Sequence, residues 1–385
     1  MEDKRQVLAQ LRAQQDSMTA LLSDLVMMET PSTDAASQAQ ILHRLKAEFE
    51  AIDYRVKLIP GRVSGGHVYA SAKYRGYNQP AQLMLGHCDT VWPIGTLQEM
   101  PLVREKDSLH GPGVYDMKAG LVAMIFALRT IESMGLRPSV APLCFINSDE
   151  EIGSRESSRY VRALAQRVDR CMVLEPALGP SGKIKTARKG VGRFEVTVQG
   201  KAAHAGLDPD AGASAILELS HVIQKLFDLN DPGLGTSVNV GLIDGGIRPN
   251  MVAPQSRAVI DVRVQTHADA ERLENAIHGL ETETSGVILT IEGAFGRPPM
   301  ERTAGNRQLW RLAQELAAEI DLDIEQGTAG GGSDGNTTSL YTATIDGMGA
   351  VGDGAHAHHE HIQVNLLPER CALLTLLLMA PALNN

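Results

Sequence analysis

The sequence predicts an α/β protein: a mainly parallel sheet with helices on both faces, interrupted by an inserted ferredoxin-like α+β domain. Three observations lead there. Early in the chain, short apolar runs alternate with helix-length segments. In the middle, the segments follow the order β-α-β-β-α-β. After the middle, long helical segments resume, so the first domain is interrupted rather than succeeded. The 385 residues and an apolar share of 43% suit two domains with sizeable cores.

The elements follow in order. Residues 5–29 and 34–51 carry helical patterns. The runs HVYASAKY, AQLMLG, LCFI and CMVL read as strands. MKAGLVAMIFALRTIES lies between the second and third, with helical length and little punctuation. SRESSRYVRALAQRV, between the third and fourth, has a helical pattern. GRFEVTVQG then alternates with period two, as a half-exposed strand does. A helix (211–228), strands (236–243 and 256–264), a helix (268–283) and a strand (287–292) complete the insertion. This assigns 187–296 to the inserted domain, and 1–186 with 297–385 to the other. A helix at 305–320, a Gly-rich loop and an apolar helix at 366–380 close the chain.

Composition excludes some functions. A net charge of −10 argues against nucleic acid or an anionic membrane surface as partner, since both call for basic patches. No apolar run approaches the ~20 residues of a membrane span. The N-terminus MEDKRQVLAQLRAQQ lacks the apolar core of a signal peptide. Cys88, Cys144, Cys171 and Cys371 lie far apart and read as reduced, buried thiols. The expectation is a cytoplasmic protein, or a periplasmic one if a leader has been removed.

Polar groups cluster where strands end. LMLG runs into His87 and Asp89, LCFI into Asp149, Glu150 and Glu151, and MVL into Glu175. In open α/β sheets, ligand sites lie outside the carboxyl ends of the strands. Asp116 precedes the long helix starting near Met117, at a position that also reads as a helix N-cap. Together, these carboxylates would repel strongly in a low-dielectric cleft. A metal pair is the simplest source of compensating charge. Imidazole with carboxylate and no thiolate suits zinc, with cobalt or manganese as substitutes. The adjacent Glu150 and Glu151 point in different directions, so one can bind metal while its neighbour takes a proton from water.

GHCDT, GPGVYDMKAG, NSDEEIGS and LEP resemble the successive motifs of the dinuclear zinc exopeptidases that include glutamate carboxypeptidase, acetylornithine deacetylase, succinyl-diaminopimelate desuccinylase and aminoacylase. GKAAHAG, GGIRPNMVAP, AGGGSDGN and GAHAHHEHI extend the similarity over most of the chain, in wording nearest the glutamate carboxypeptidase branch. The resemblance implies two Zn2+ per subunit. His87, Asp116, Glu151, Glu175 and His356 would be ligands, Asp116 bridging. Asp89 would hold the His87 ring and Glu150 would be the general base. His356 is chosen from His356, His358, His359 and His361 because the family's ligand lies four residues before a glutamate, here Glu360. The resemblance also implies a cis Asp116–Met117 peptide.

Substrate groups are implied as well. His204 would polarise the scissile carbonyl, often in the partner subunit's site. Asn250 and Arg263 match positions that grip a substrate carboxylate, and Arg297 would do likewise. GGGSDG lacks the Lys-Ser/Thr of a Walker motif. It reads as a close backbone approach, with the N–H groups of Gly331 and Gly332 facing a carboxylate. The expected substrate is an N-acyl amino acid or small peptide with a free C-terminal carboxylate; the alternatives are an N-acyl amino acid deacylase, an amino-acid conjugate hydrolase or, more remotely, an inactive family member that binds metal or ligand. The expected assembly is a homodimer through 187–296.

Overall fold

A computed structural model describes residues 2–76 and 78–383. The chain divides into two compact units. The first comprises Met1–Thr186, Arg302–Ala329 and Ser333–Asn385; the second comprises Ala187–Glu301 with Gly330–Gly332.

The first unit is built on a six-stranded sheet. Its strands are β1 (Tyr54–Ile59), β2 (His67–Ala72), β3 (Ala81–His87), β4 (Ala141–Asn147), β5 (Arg170–Val173) and β6 (Ala343–Ile345). The spatial order is β1-β2-β4-β3-β5-β6. β4, β3, β5 and β6 pair in parallel, while β1 and β2 add an antiparallel edge. Alternating side chains face opposite helical layers. Met84, Cys144 and Met172 enter one core with the helices Gln15–Val26, Ala119–Ser133 and Leu367–Met379. Leu83, Leu85, Phe145 and Val173 enter another with Val161 of the helix Ser158–Ala165.

Two local expectations are corrected, and one strand was missed. The helix expected over 5–29 is two helices, Glu2–Ala13 and Gln15–Val26, because the Gln14 N–H turns back to the Leu11 carbonyl. β1 went unread in the sequence: Arg55 and Lys57 interrupt its apolar pattern, and of its six side chains only that of Tyr54 is buried. Asp116 is not a helix cap. Val114–Lys118 form a wide turn with Asp116 extended (φ −112°, ψ 96°), and the regular helix starts at Ala119. The Asp116–Met117 peptide is cis. Gly120 lets that helix approach the strand end, since an added Cβ would lie 2.0 Å from the Leu174 carbonyl oxygen.

The buried Arg170 fastens the C-terminal helix to the sheet. Its guanidinium donates to Gln82 Oε1 (2.8 Å) and to the carbonyls of Leu377 (3.1 Å), Ala380 (2.8 Å) and Pro381 (2.6 Å). Arg170→Met should cost about 2–4 kcal/mol, because it strands several buried acceptors. Urea unfolding of the two proteins measures the difference.

In the second unit, Gly190–Gln199, Ser237–Gly245, Gln255–Val264 and Ile288–Arg297 form an antiparallel sheet. The helices Ala215–Phe227 and His267–His278 complete the β-α-β-β-α-β order. In sequence order the strands lie 4-1-3-2, the ferredoxin-like arrangement. The last strand runs to Arg297, beyond the expected 292, and the unit continues to Glu301. Among the described residues, no helix is long and apolar enough to cross a membrane. The four cysteines are buried and free.

Candidate metal centre

His87 ends β3, Glu150 and Glu151 follow the end of β4, and Glu175 follows β5. The parallel register of these strands brings their carboxyl ends together. Gly111–Lys118 supplies Asp116, and the loop before Glu360 supplies His356, whose backbone is left-handed (φ 61°).

The centre has two halves that share one carboxylate. His87 Nε2 lies 3.3 Å from Asp116 Oδ1 and 3.4 Å from Glu175 Oε1. His356 Nε2 lies 3.5 Å from Asp116 Oδ2 and 3.1 Å from Glu151 Oε2. Asp116 therefore turns one oxygen to each imidazole, and each imidazole also faces its own glutamate. Glu150 joins the first half: potential ligand atoms of His87, Glu150 and Glu175 lie within 4.8 Å of one another, as do those of His87, Asp116 and Glu151.

Asp89 braces the arrangement from beneath. Its backbone oxygen lies 3.0 Å from His87 Nδ1, which leaves Nε2 to face the site. Its carboxylate accepts the N–H groups of Glu150 (3.2 Å) and Glu151 (3.1 Å) and the Ser32 hydroxyl (2.6 Å). One residue thus holds both, the ring through its backbone and the paired glutamates through its carboxylate. Asp149 turns elsewhere, accepting the N–H groups of Glu156 (2.8 Å) and Ser157 (3.1 Å).

The electrostatics call for positive charge. Burial alone would raise the Asp116 carboxyl, but His356 and His87 outweigh it and hold the group well below the usual carboxylate range. Asp116 and Glu151 push His356 up to about 10. Burial opposes charge on His87, yet Asp116, Asp89 and Glu175 outweigh it and raise that imidazole too. Burial raises Glu151. Protons or metal ions on the same nitrogens would meet this demand. His87 Nε2 and Asp116 Oδ1 are buried and, although 3.3 Å apart, are not aligned for a hydrogen bond. These donors fit a divalent metal, and the mixed nitrogen–oxygen set without thiolate suits zinc, cobalt or manganese.

The neighbouring histidines face elsewhere. The His358 ring lies 5.5 Å from the Trp92 ring, His359 lies 4.0 Å from Asp353, and His361 stacks on His110 at 4.9 Å.

The sequence model of the peptidase family M20/M25/M40 matches residues 83–380. The chain belongs to that family. It is 26% identical over 380 residues to carboxypeptidase G2 of Pseudomonas sp. (strain RS-16), covering 95% of this chain and 89% of that protein. It is 27% identical over 315 residues to succinyl-diaminopimelate desuccinylase of Delftia acidovorans, covering 77% and 81%. The fold matches aminopeptidase PepT of Bacillus cereus with TM-score 0.77 and 21% identity, over 95% and 98% of the two chains. It also matches a dinuclear metal-binding M20 peptidase of Bacillus subtilis with TM-score 0.70 and 15% identity, over 95% and 98%. This M20 chain is a metal-dependent hydrolase.

The second unit carries the remaining expected residues, in two groups. His204 bridges to Met251, and the Ala205 N–H donates to the Asn250 carbonyl, so His204 and Asn250 are neighbours. His204 Nδ1 accepts from the N–H groups of Gly206 and Leu207, both at 3.1 Å. That places its proton on Nε2 as an exposed donor. Arg263 and Arg297 each pair with Val191, from opposite sides. Arg263 is engaged by Asp261 through two bonds of 2.7 and 2.8 Å. Asn250 precedes the strand Gln255–Val264 and Arg263 lies near its far end, so about 25 Å of strand runs between the two groups. The carbonyls of Gly331 and Gly332 accept from Arg188 at 3.1 and 3.2 Å. A Cβ added at Gly330 or Gly331 would meet nothing within 4 Å, so protein packing does not demand glycine there.

Several supporting residues went unread. Buried Asp334 accepts Asn147 Nδ2 (2.6 Å) and the Ser154 hydroxyl (2.5 Å), tying the Gly-rich loop's end to the segment after Glu151. Ser32 and Glu360 are further examples. Only Glu360 had a sequence signal, its spacing from His356.

Proposed function

We propose that the chain is a two-zinc hydrolase that cleaves the amide bond of N-acyl amino acids or small peptides bearing a free C-terminal carboxylate. The observation that carries this reading is the Asp116 carboxylate set between two imidazoles, each with its own glutamate. His87 and Glu175 would hold one ion, Glu151 and His356 the other, and Asp116 both. Bound metals would acidify water and polarise the scissile carbonyl. Glu150 takes the proton from the attacking water and passes it to the leaving nitrogen. Asp89 holds His87 and the backbone of the paired glutamates in place. His204 donates a hydrogen bond from its Nε2–H to the carbonyl oxygen as that oxygen gains charge. Asn250, Arg263, Arg297 and the Gly331–Gly332 backbone bind the substrate carboxylate.

A homodimer is part of the proposal. The separation of His204 and Asn250 from Arg263 and Arg297 supports two chains sharing these groups, since one carboxylate cannot reach both ends of the strand. The edge strand Ser237–Gly245 exposes Leu242 and Ile243, each 65% accessible, which a second copy would cover. A cytoplasmic location accords with the four buried, free cysteines.

Carboxypeptidase G2 among the relatives supports the carboxypeptidase form of the reading. The desuccinylases support a second form, an N-acyl amino acid deacylase. A panel of N-acyl amino acids and dipeptides, assayed with the zinc, cobalt and manganese proteins, separates the two. Turnover should require the free carboxylate, and the corresponding C-terminal amides should be poor substrates. Equal kcat/KM for acids and amides would reject carboxylate recognition.

A further inference from the structure

Glu360 is fully buried, yet among the described residues its carboxylate faces no partner of opposite charge at bonding distance. Its bonds are to neutral N–H groups. Oε1 accepts from the amides of Tyr115 (2.9 Å) and Asp116 (3.0 Å). Oε2 accepts from the amide of Gly113 (2.9 Å) and from Trp92 Nε1 (2.8 Å). The Glu360 carbonyl also accepts the Gly111 N–H at 3.2 Å. The turn before a helix leaves such N–H groups without helical partners, and here one side chain collects them.

The position of that side chain gives the contact its meaning. Glu360 closes the same short loop that carries His356, and its own N–H donates to Ala357 at 2.9 Å. The turn it grips carries Asp116, whose extended backbone aims one carboxylate oxygen at each imidazole. A buried carboxylate is costly to desolvate, and an isolated loop could be tied by neutral groups. Here the charge-assisted bonds join the segments bearing two of the site's facing residues.

We propose that Glu360 is a positioning residue of the metal centre, fixing the Asp116 carboxylate and the His356 loop relative to each other and so setting metal affinity. The inference rests on the two-metal reading of the site.

Glu360→Gln tests it with almost no change of shape. Whichever way the amide turns, its NH2 group faces two N–H donors, so one pair loses its acceptor. Three results are expected. In metal-free protein, hydrogen exchange of the 111–118 amides quickens by roughly ten-fold or more. Cobalt titration by calorimetry shows the weaker of two ions bound about 10–100-fold less tightly. Excess cobalt restores kcat while KM stays near the wild-type value. A clamp with only a structural role would lower thermal stability but leave cobalt affinity unchanged, and that result overturns the proposal. Trp92→Phe removes one donor and keeps the carboxylate, so it serves if Glu360→Gln fails to fold. It should weaken cobalt binding a few-fold, and wild-type affinity in it would count equally against the proposal. If wild type binds fewer than two ions, the two-metal reading fails. If wild type binds two and Glu360→Gln binds them equally well, only the role of Glu360 fails.

Discussion

Glu150→Gln should keep its metal and lose kcat by about 10²–10⁴, the range a positioned general base contributes. Glutamine preserves the shape of the side chain and the backbone bond from residue 150 to Asp89 Oδ1. What disappears is the capacity to accept a proton. Glu150 stands close enough to His87 and Glu175 to act instead as a ligand. Elemental analysis of the purified variant beside its kcat decides between the roles. A variant that releases metal makes Glu150 a ligand, and one with near-wild-type kcat removes it from the chemistry.

Glu151→Gln should fail in the opposite manner. Glu151 faces His356 at 3.1 Å and shares Asp116 with the other half of the centre. An amide is a far poorer metal ligand than a carboxylate. Metal affinity should therefore fall by more than the ~10–100-fold usual for a partner outside the coordination sphere. Activity should recover in part at high metal concentration, which no concentration of metal achieves for Glu150→Gln. Calorimetric titration of the metal-free variants reads the contrast. If Glu150→Gln loses metal while Glu151→Gln retains it, the two assignments are exchanged.

The site was legible where chemistry coincides with local pattern. Apolar runs ending in His87, in Glu150 and Glu151, and in Glu175 mark strand ends of a parallel sheet, and pairing of β3 with β4 and β5 brings those ends together. The β-α-β-β-α-β order was legible for a similar reason: period-two alternation and helical spacing switch cleanly between Gly190 and Arg297. Features set by distant partners were not legible. The link from Asn147 to Asp334 spans 187 positions, and the one from Trp92 to Glu360 spans 268. No window of sequence contains either pair. Asp116 was ambiguous for another reason. A carboxylate just before a helix is an ordinary cap, and only the start of the regular helix at Ala119, beyond the turn that carries Asp116, rules that out. Nor could the pattern reveal that Arg263 is paired with Asp261, or that the strand's length parts it from Asn250.

The central claim is that two divalent ions occupy one centre shared through Asp116. Its most direct test is the metal content of purified wild-type protein, measured by elemental analysis before and after chelation and matched to activity. The account predicts close to two ions per chain, activity lost with their removal, and activity regained as the second ion returns. Full activity with one ion or none would contradict it.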